Sequence, residues 1–249
     1  MSTRPTEQVI GVAIDVLSWQ EVIARLGFWS RERAGRVVCI CNAHSLVSAR
    51  IDPTFAGVLA RAEMCTADGA PVAWMLRRLG NADQQRINGP DLLWRYCAWA
   101  EANGESIYLY GGAERTLSAL QARLIAAFPG LLIAGAASPP FRPMTAEEDA
   151  AAVAAINASG AGTIWVSLGC PKQEFWMDGH RGQIKSTMVG VGAAFDYHAG
   201  TVRRAPVWVQ RAGLEWLYRL ASEPRRLWRR YLFTNTYFVF AAIRQLIAR

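Results

Sequence analysis

Asp68 stands in Thr66-Ala67-Asp68-Gly69-Ala70-Pro71, after a short apolar run and before a helical pattern. The commonest use of an aspartate there is to cap the helix by accepting backbone N–H groups. Its chemical use is different: a carboxylate at a ligand edge can take a proton from a hydroxyl. Gly169-Cys170-Pro171-Lys172-Gln173-Glu174 also follows an apolar run and opens a helix. Such a loop can present backbone N–H groups to a diphosphate, with Lys172 adding charge, although an ordinary βα connection looks the same. Gly111-Gly112 is a third tight turn, but it departs from G-x-G-x-x-G, which leaves a nicotinamide cofactor little support. His44, His180 and His198 lack metal-ligand spacing with cysteines or carboxylates, and no Asp-x-Asp occurs, so no metal site is expected. Cys39 and Cys41 read as small strand residues rather than a redox pair. No G-x-S-x-G occurs, so there is no sign of a serine nucleophile elbow.

These residues need elements to hold them. Short apolar runs at 37–41, 63–66, 106–110, 131–134, 163–168 and 187–191 predict strands. Helical patterns lie between them at 44–60, 70–79, 113–128 and 145–158, and from 173 onward. Thr145 and Glu148 have the spacing of a capping box. Strand, tight turn and helix in alternation predict an α/β fold of βαβ units around a mostly parallel sheet. Ligands bind such sheets at the carboxyl ends of the strands. The expected ligand edge is therefore 42–44, 68–69, 111–112 and 169–174.

From 206 the pattern changes. Residues 207–221 and 224–232 read as helices divided at Ser222-Glu223-Pro224, where Ser222 can cap and Pro224 fits a first turn. Arg225, Arg226, Arg229 and Arg230 fall within roughly 140° of one another on the second helix. Leu227, Trp228, Tyr231 and Leu232 take its other side. Residues 203–249 hold ten arginines and two acids, a charge of +8, and the other 202 residues sum to −1. A segment this basic calls for an anionic partner. A solvated surface helix and a membrane-surface helix fit the pattern about equally. Nucleic acid ranks lower, because no nucleic-acid motif is present and the body carries no basic stripe. All predicted strands precede 203, so the body is expected to fold without this appendage.

Composition bounds the rest. The chain has 249 residues, 52% hydrophobic and 19% charged, which excludes general disorder. Five cysteines, an odd count, and no signal-like start predict a reducing cytosol rather than a disulfide scaffold. No run of about 20 apolar residues calls for a transmembrane helix.

Taken together the segments resemble the WecG/TagA/CpsF family of bacterial glycosyltransferases, glycosyltransferase family 26. The matching pieces are NAHSL (42–46), ADGAPVAW (67–74), R-x-x-G-P-D (86–91), YLYGG (108–112), SPPF (138–141), WVSLGCPKQEFWM (165–177), VGAAFDYHAG (191–200), RRAP (203–206) and GLEWLYRLASEPRRLWRRYL (213–232). Each is short; their number and order make the resemblance specific. It implies a Rossmann-like catalytic body at 1–202 and a helical, membrane-associating appendage at 203–249. It implies an inverting, metal-independent and cofactor-free hexosyl transfer from a UDP-sugar to a polyprenyl-diphosphate-linked sugar. The product would belong to a cell-surface polysaccharide, with β-1,4 linkage and glucose or N-acetylmannosamine as the hexose.

The family's base matches Asp68, and its active-site glutamine matches Gln173. Its diphosphate-facing appendage arginines match Arg219, Arg226 and Arg229. Asn42, His44, Gly111, Gly112, Gly169, Pro171, Lys172 and Glu174 complete the expected substrate site. One departure is Ile40, where many members carry threonine two positions before the asparagine. It bears on sugar specificity, with His44 as the replacement contact, and not on the reaction class. The expected partners are a UDP-sugar, the lipid-linked acceptor and an anionic membrane surface, at the cytoplasmic face of the bacterial inner membrane. Self-association is left open. A non-catalytic nucleotide- and membrane-binding protein is the alternative, and it would not need the segments around Asp68 and Gln173.

Overall fold

The structure, a computed structural model, describes residues 4–248. Its strands are β1 (Thr6–Val9), β2 (Val12–Asp15), β3 (Val37–Cys41), β4 (Met64–Ala67), β5 (Ser106–Gly111), β6 (Leu132–Ala137), β7 (Thr163–Ser167) and β8 (Thr187–Gly190). Its helices are α1 (Trp19–Glu32), α2 (Ala43–Ile51), α3 (Pro53–Arg61), α4 (Ala70–Arg78), α5 (Gly89–Asn103) and α6 (Glu114–Ala127). They continue with α7 (Ala146–Ala158), α8 (Lys172–Gly179), α9 (Ala194–Ala199), α10 (Val207–Arg211), α11 (Glu215–Ser222) and α12 (Pro224–Ile247).

Strands β3 to β8 form one parallel sheet in the order β4-β3-β8-β7-β5-β6, and β1 and β2 make a separate antiparallel hairpin. A parallel sheet buries both faces of its inner strands; all five residues of β3 and all four of β4 are buried, while the edge strand β6 is partly exposed. Alternate side chains part to the two sides. Cys39, Cys41, Tyr110, Val166 and Met188 join the core with residues of α2, α3, α7 and α8. Val38, Ile40, Leu109, Trp165 and Val189 join the opposite core with α1, α5 and α6. This is the Rossmann-like α/β architecture expected from the sequence.

Several elements differ from their sequence reading. The stretch 44–60 is two helices, because Pro53 cannot extend α2 and Asp52 turns the chain, its Oδ1 accepting the Thr54 N–H at 2.9 Å. The stretch 207–221 is also two helices, with Gly213 between them at a φ of 73°. The helix that starts at Pro224 continues to Ile247. The capping box of Thr145 and Glu148 is present.

Among the described residues no helix is long and apolar enough to cross a membrane. One side of α12 is buried at Leu227, Thr234, Phe238 and Ala242, at spacings of seven, four and four. Phe238 and Ala242 enter the same core as α2 and α3. Gln245 is tied to the β1–β2 hairpin, accepting the Ile10 N–H at 2.7 Å and donating to the Gln8 carbonyl at 2.6 Å. The last turns of the chain thus cover the body's core, a role that the position of the strands did not reveal.

Candidate active site

Because the six strands are parallel, their carboxyl ends share one edge, and the turns after them gather there. Asn42 follows β3, Asp68 follows β4, Gly111-Gly112 ends β5, Gly169-Cys170-Pro171 follows β7 and Gly192 follows β8. Asn42 is the cap of α2, accepting the N–H groups of His44 at 2.9 Å and Ser45 at 3.2 Å. A Cβ built on Gly69 would lie 3.7 Å from the Asn42 Cβ, so the turns after β3 and β4 touch.

Asp68 is not the cap of α4. That position belongs to Gly69, at a φ of 81°, and no side chain caps the helix. The Asp68 N–H donates to the Cys41 carbonyl at 2.9 Å, and its Oδ1 accepts the Gly69 N–H at 2.6 Å. The side chain is 22% exposed, and Arg86 Nε stands 3.5 Å from Oδ1. Burial pushes the Asp68 carboxyl above the usual carboxylate range, against the opposing pull of Arg86, the Gly69 N–H and Arg204. A carboxylate held this way is partly accessible and more basic than a surface aspartate.

Arg86 continues a chain of alternating charge. It pairs with Glu215, the first residue of α11; Glu215 lies 3.9 Å from Arg204 Nε, and Arg204 pairs with Asp91 at 2.5 Å. Asn88, cap of α5, donates to Asp91 at 2.7 Å and accepts from Arg204 at 3.3 Å. Tyr197 of α9 lies in the same field: burial raises its pKa, and the charges of Arg219, Glu215 and Asp68 act on it.

The other predicted residues divide by what they already hold. Gln173 is 3% exposed; its Oε1 accepts the Gly192 N–H at 3.0 Å and its Nε2 donates to Glu174 at 2.9 Å. It therefore joins the ends of β7 and β8 from within. Glu174 is buried, its Oε2 has no hydrogen-bond partner, and burial raises its pKa. Gly111 must be glycine, because a Cβ there would come within 2.5 Å of the Ser167 carbonyl oxygen. The Gly112 N–H donates to that carbonyl at 3.2 Å. Gly169, at a φ of 79°, faces open space, Pro171 follows it in a cis peptide, and Lys172 is exposed at the start of α8. Ile40 lies in the core under α1 and α5, 6% exposed.

The arginines of the C-terminal helices point two ways. The Arg219 guanidinium lies 5.9 Å from the centre of the Tyr197 ring, and its Nε is enclosed with no hydrogen-bond partner. Arg230, on the inward side of α12 between Leu227 and Thr234, likewise has an enclosed Nε with no partner. Burial lowers the pKa of His44, and the nearby charge of Arg230 lowers it further. The same charge reaches Cys170, so Arg230 stands over the turns after β3 and β7. Arg226 and Arg229 are exposed; Arg226 pairs with Glu223 at 2.7 Å and Arg229 lies 5.2 Å from the Trp228 ring centre. Arg229 lines a shallow apolar groove with Trp228, Leu232, Phe233, Tyr237 and Phe240 on the outer side of α12.

Sequence reasoning did not place Arg86, Tyr197, Arg204, Glu215 or Arg230 in the site. All five sit within the segments R-x-x-G-P-D, VGAAFDYHAG, RRAP and GLEWLYRLASEPRRLWRRYL, so their neighbourhoods were marked but their roles were not. Glu215 is one of only two acids beyond residue 202. Among the described residues no cluster of His, Cys, Asp or Glu could hold a metal ion. The edge thus offers a partly accessible carboxylate of raised basicity together with inward-facing cations, the components of proton removal from a hydroxyl and of anion binding. The family model of the WecG/TagA/CpsF glycosyl transferases matches residues 7–249, and the chain belongs to that family.

Proposed function

We propose that this glycosyltransferase moves a hexose from a UDP-sugar to a polyprenyl-diphosphate-linked sugar, with inversion and with Asp68 as the general base. The observation that carries this reading is the pairing at one edge of a desolvated carboxylate and two appendage arginines, Arg219 and Arg230, with unpartnered Nε groups. In that reaction Asp68 takes the proton of the acceptor hydroxyl as its oxygen attacks the anomeric carbon. The bond to UDP breaks on the opposite side, and negative charge grows on the leaving diphosphate. Arg219 and Arg230, the uncapped start of α8 and Lys172 supply positive charge for it without a metal ion.

Residues 1–202 form the catalytic body in this reading, and 203–249 the membrane-associating appendage; residues 1–3 and 249 lie outside the described residues. The acceptor's lipid would lie in the cytoplasmic leaflet of the bacterial inner membrane. The exposed side of α12 supports such a contact, since Trp228, Leu232, Phe240 and Ile247 stand out beside Arg225 and Arg229. Glucose and N-acetylmannosamine are the two candidate hexoses, in a β-1,4 linkage.

The test is a panel of UDP-sugars with a synthetic lipid-diphosphate acceptor, assayed for UDP release in EDTA. Turnover with one UDP-hexose is expected, undiminished by the chelator. UDP binding by calorimetry without turnover on any acceptor would favour the non-catalytic reading. Restoration by Mg²⁺ or Mn²⁺ after EDTA would show that a cation shares the diphosphate.

A further inference from the structure

No side chain of α11 is fully buried, and the first residue of this helix meets the body through charge. Glu215 gives one carboxylate oxygen to Arg86 Nη2 and turns the other toward Arg204 at 3.9 Å. Of the two arginines, Arg86 also stands within ion-pair distance of Asp68. Its Nε stands 3.5 Å from Oδ1, beyond the roughly 2.7–2.9 Å of a charge-assisted hydrogen bond, and makes no hydrogen bond. The guanidinium is stretched between two carboxylates, and the one on the appendage has the closer contact.

We propose that Glu215 is a positioning residue that holds Arg86 off Asp68, so that docking of α11 leaves the Asp68 carboxylate free to take a proton. This rests on the reading of Asp68 as the base. The charged and titratable groups facing Asp68 are Arg86 from the segment before α5, Arg204 from the segment before α10, and Tyr197 of α9. With Glu215 in place, burial outweighs the pull of Arg86 and the carboxyl stays basic. Without it, Arg86 has Asp68 as its nearest remaining acid and closes onto it. The carboxylate then loses basicity and access together. Lifting α11 off the body would do the same, so proton removal is tied to the appendage being closed over the edge.

The test reads Asp68 directly. Its carboxyl titration is followed by ¹³C NMR in full-length protein, assigned by its loss in Asp68→Asn. Glu215→Gln is compared with wild type and with the same change made in an Arg86→Gln background. Glu215→Gln is expected to lower the Asp68 pKa by about one pH unit and kcat by about tenfold, with the melting temperature little changed. In the Arg86→Gln background the same change should move the titration by less than about a third as much. Glu215→Asp, which keeps the charge on a shorter stem, should recover part of both losses. An equal shift in both backgrounds would mean that Glu215 acts by its own charge alone, and no shift would mean that it only fastens α11; either result overturns the proposal. Absence of turnover in the wild type would remove the transferase reading, while the NMR comparison would still decide whether Glu215 positions Arg86.

Discussion

Asp68 differs from an ordinary helix-capping aspartate in what surrounds it. The next residue, Gly69, takes the cap position, which leaves the carboxylate to face Arg86 and the open edge. Its raised pKa gives a signed expectation. A base must be ionised, so activity should be full above the raised pKa and fall as pH drops through it. The acid limb of kcat/KM should therefore lie above the ~3.9 of a free aspartate. A limb at or below that value would contradict burial as the dominant influence. The arginines give a second expectation. Arg219→Ala and Arg230→Ala should each weaken UDP binding by about tenfold, as expected for lost charge-assisted bonds. Arg226→Ala and Arg229→Ala should stay within about twofold, because both face outward. Calorimetry on the four variants checks this, and the reverse ranking would place the diphosphate on the outer side of α12.

At the scale of elements, local signals and long-range ones parted. The sheet strands and most helices of the body were legible from apolar runs, glycine turns and caps, because each signal is local. The candidate edge followed from them, since parallel strands must deliver their ends to one side. The β1–β2 hairpin and the breaks at Asp52 and Gly213 were not read, although their signals are short and local. The ion pairs of Arg86 were not legible either, because Asp68, Arg86 and Glu215 come from three distant segments and no periodicity links them. The far end of α12 was likewise hidden: its apolar residues lie on both sides of the helix, and only packing decides that Phe238 is inside and Phe240 outside. Phe238→Ala should cost about 3 kcal/mol in urea unfolding. Truncation after Ala205 should destabilise further, since Ala242 and the Gln245 bonds to the hairpin go as well. An unchanged unfolding midpoint in the truncated chain would show that the body stands alone.

The whole molecule sets a nearly neutral body beneath a strongly basic C-terminal segment, which works on two sides at once. Its inner side brings Glu215, Arg219 and Arg230 to the strand ends. Its outer side exposes Trp228, Leu232, Phe240 and Ile247 next to arginines. Leu232→Glu combined with Phe240→Glu should weaken binding to anionic vesicles by tenfold or more, on the order of the transfer energy of two apolar side chains. UDP affinity should not change. Residual binding should fall as salt rises, as screened charge requires. Retained vesicle binding would move the membrane contact elsewhere. The central claim is tested most directly by one comparison, turnover and UDP affinity of Asp68→Asn against wild type. The amide keeps the size and loses the basicity, so kcat should fall by about 10²–10⁴-fold while UDP binding holds within about twofold. Wild-type kcat in the folded variant would contradict proton removal by Asp68.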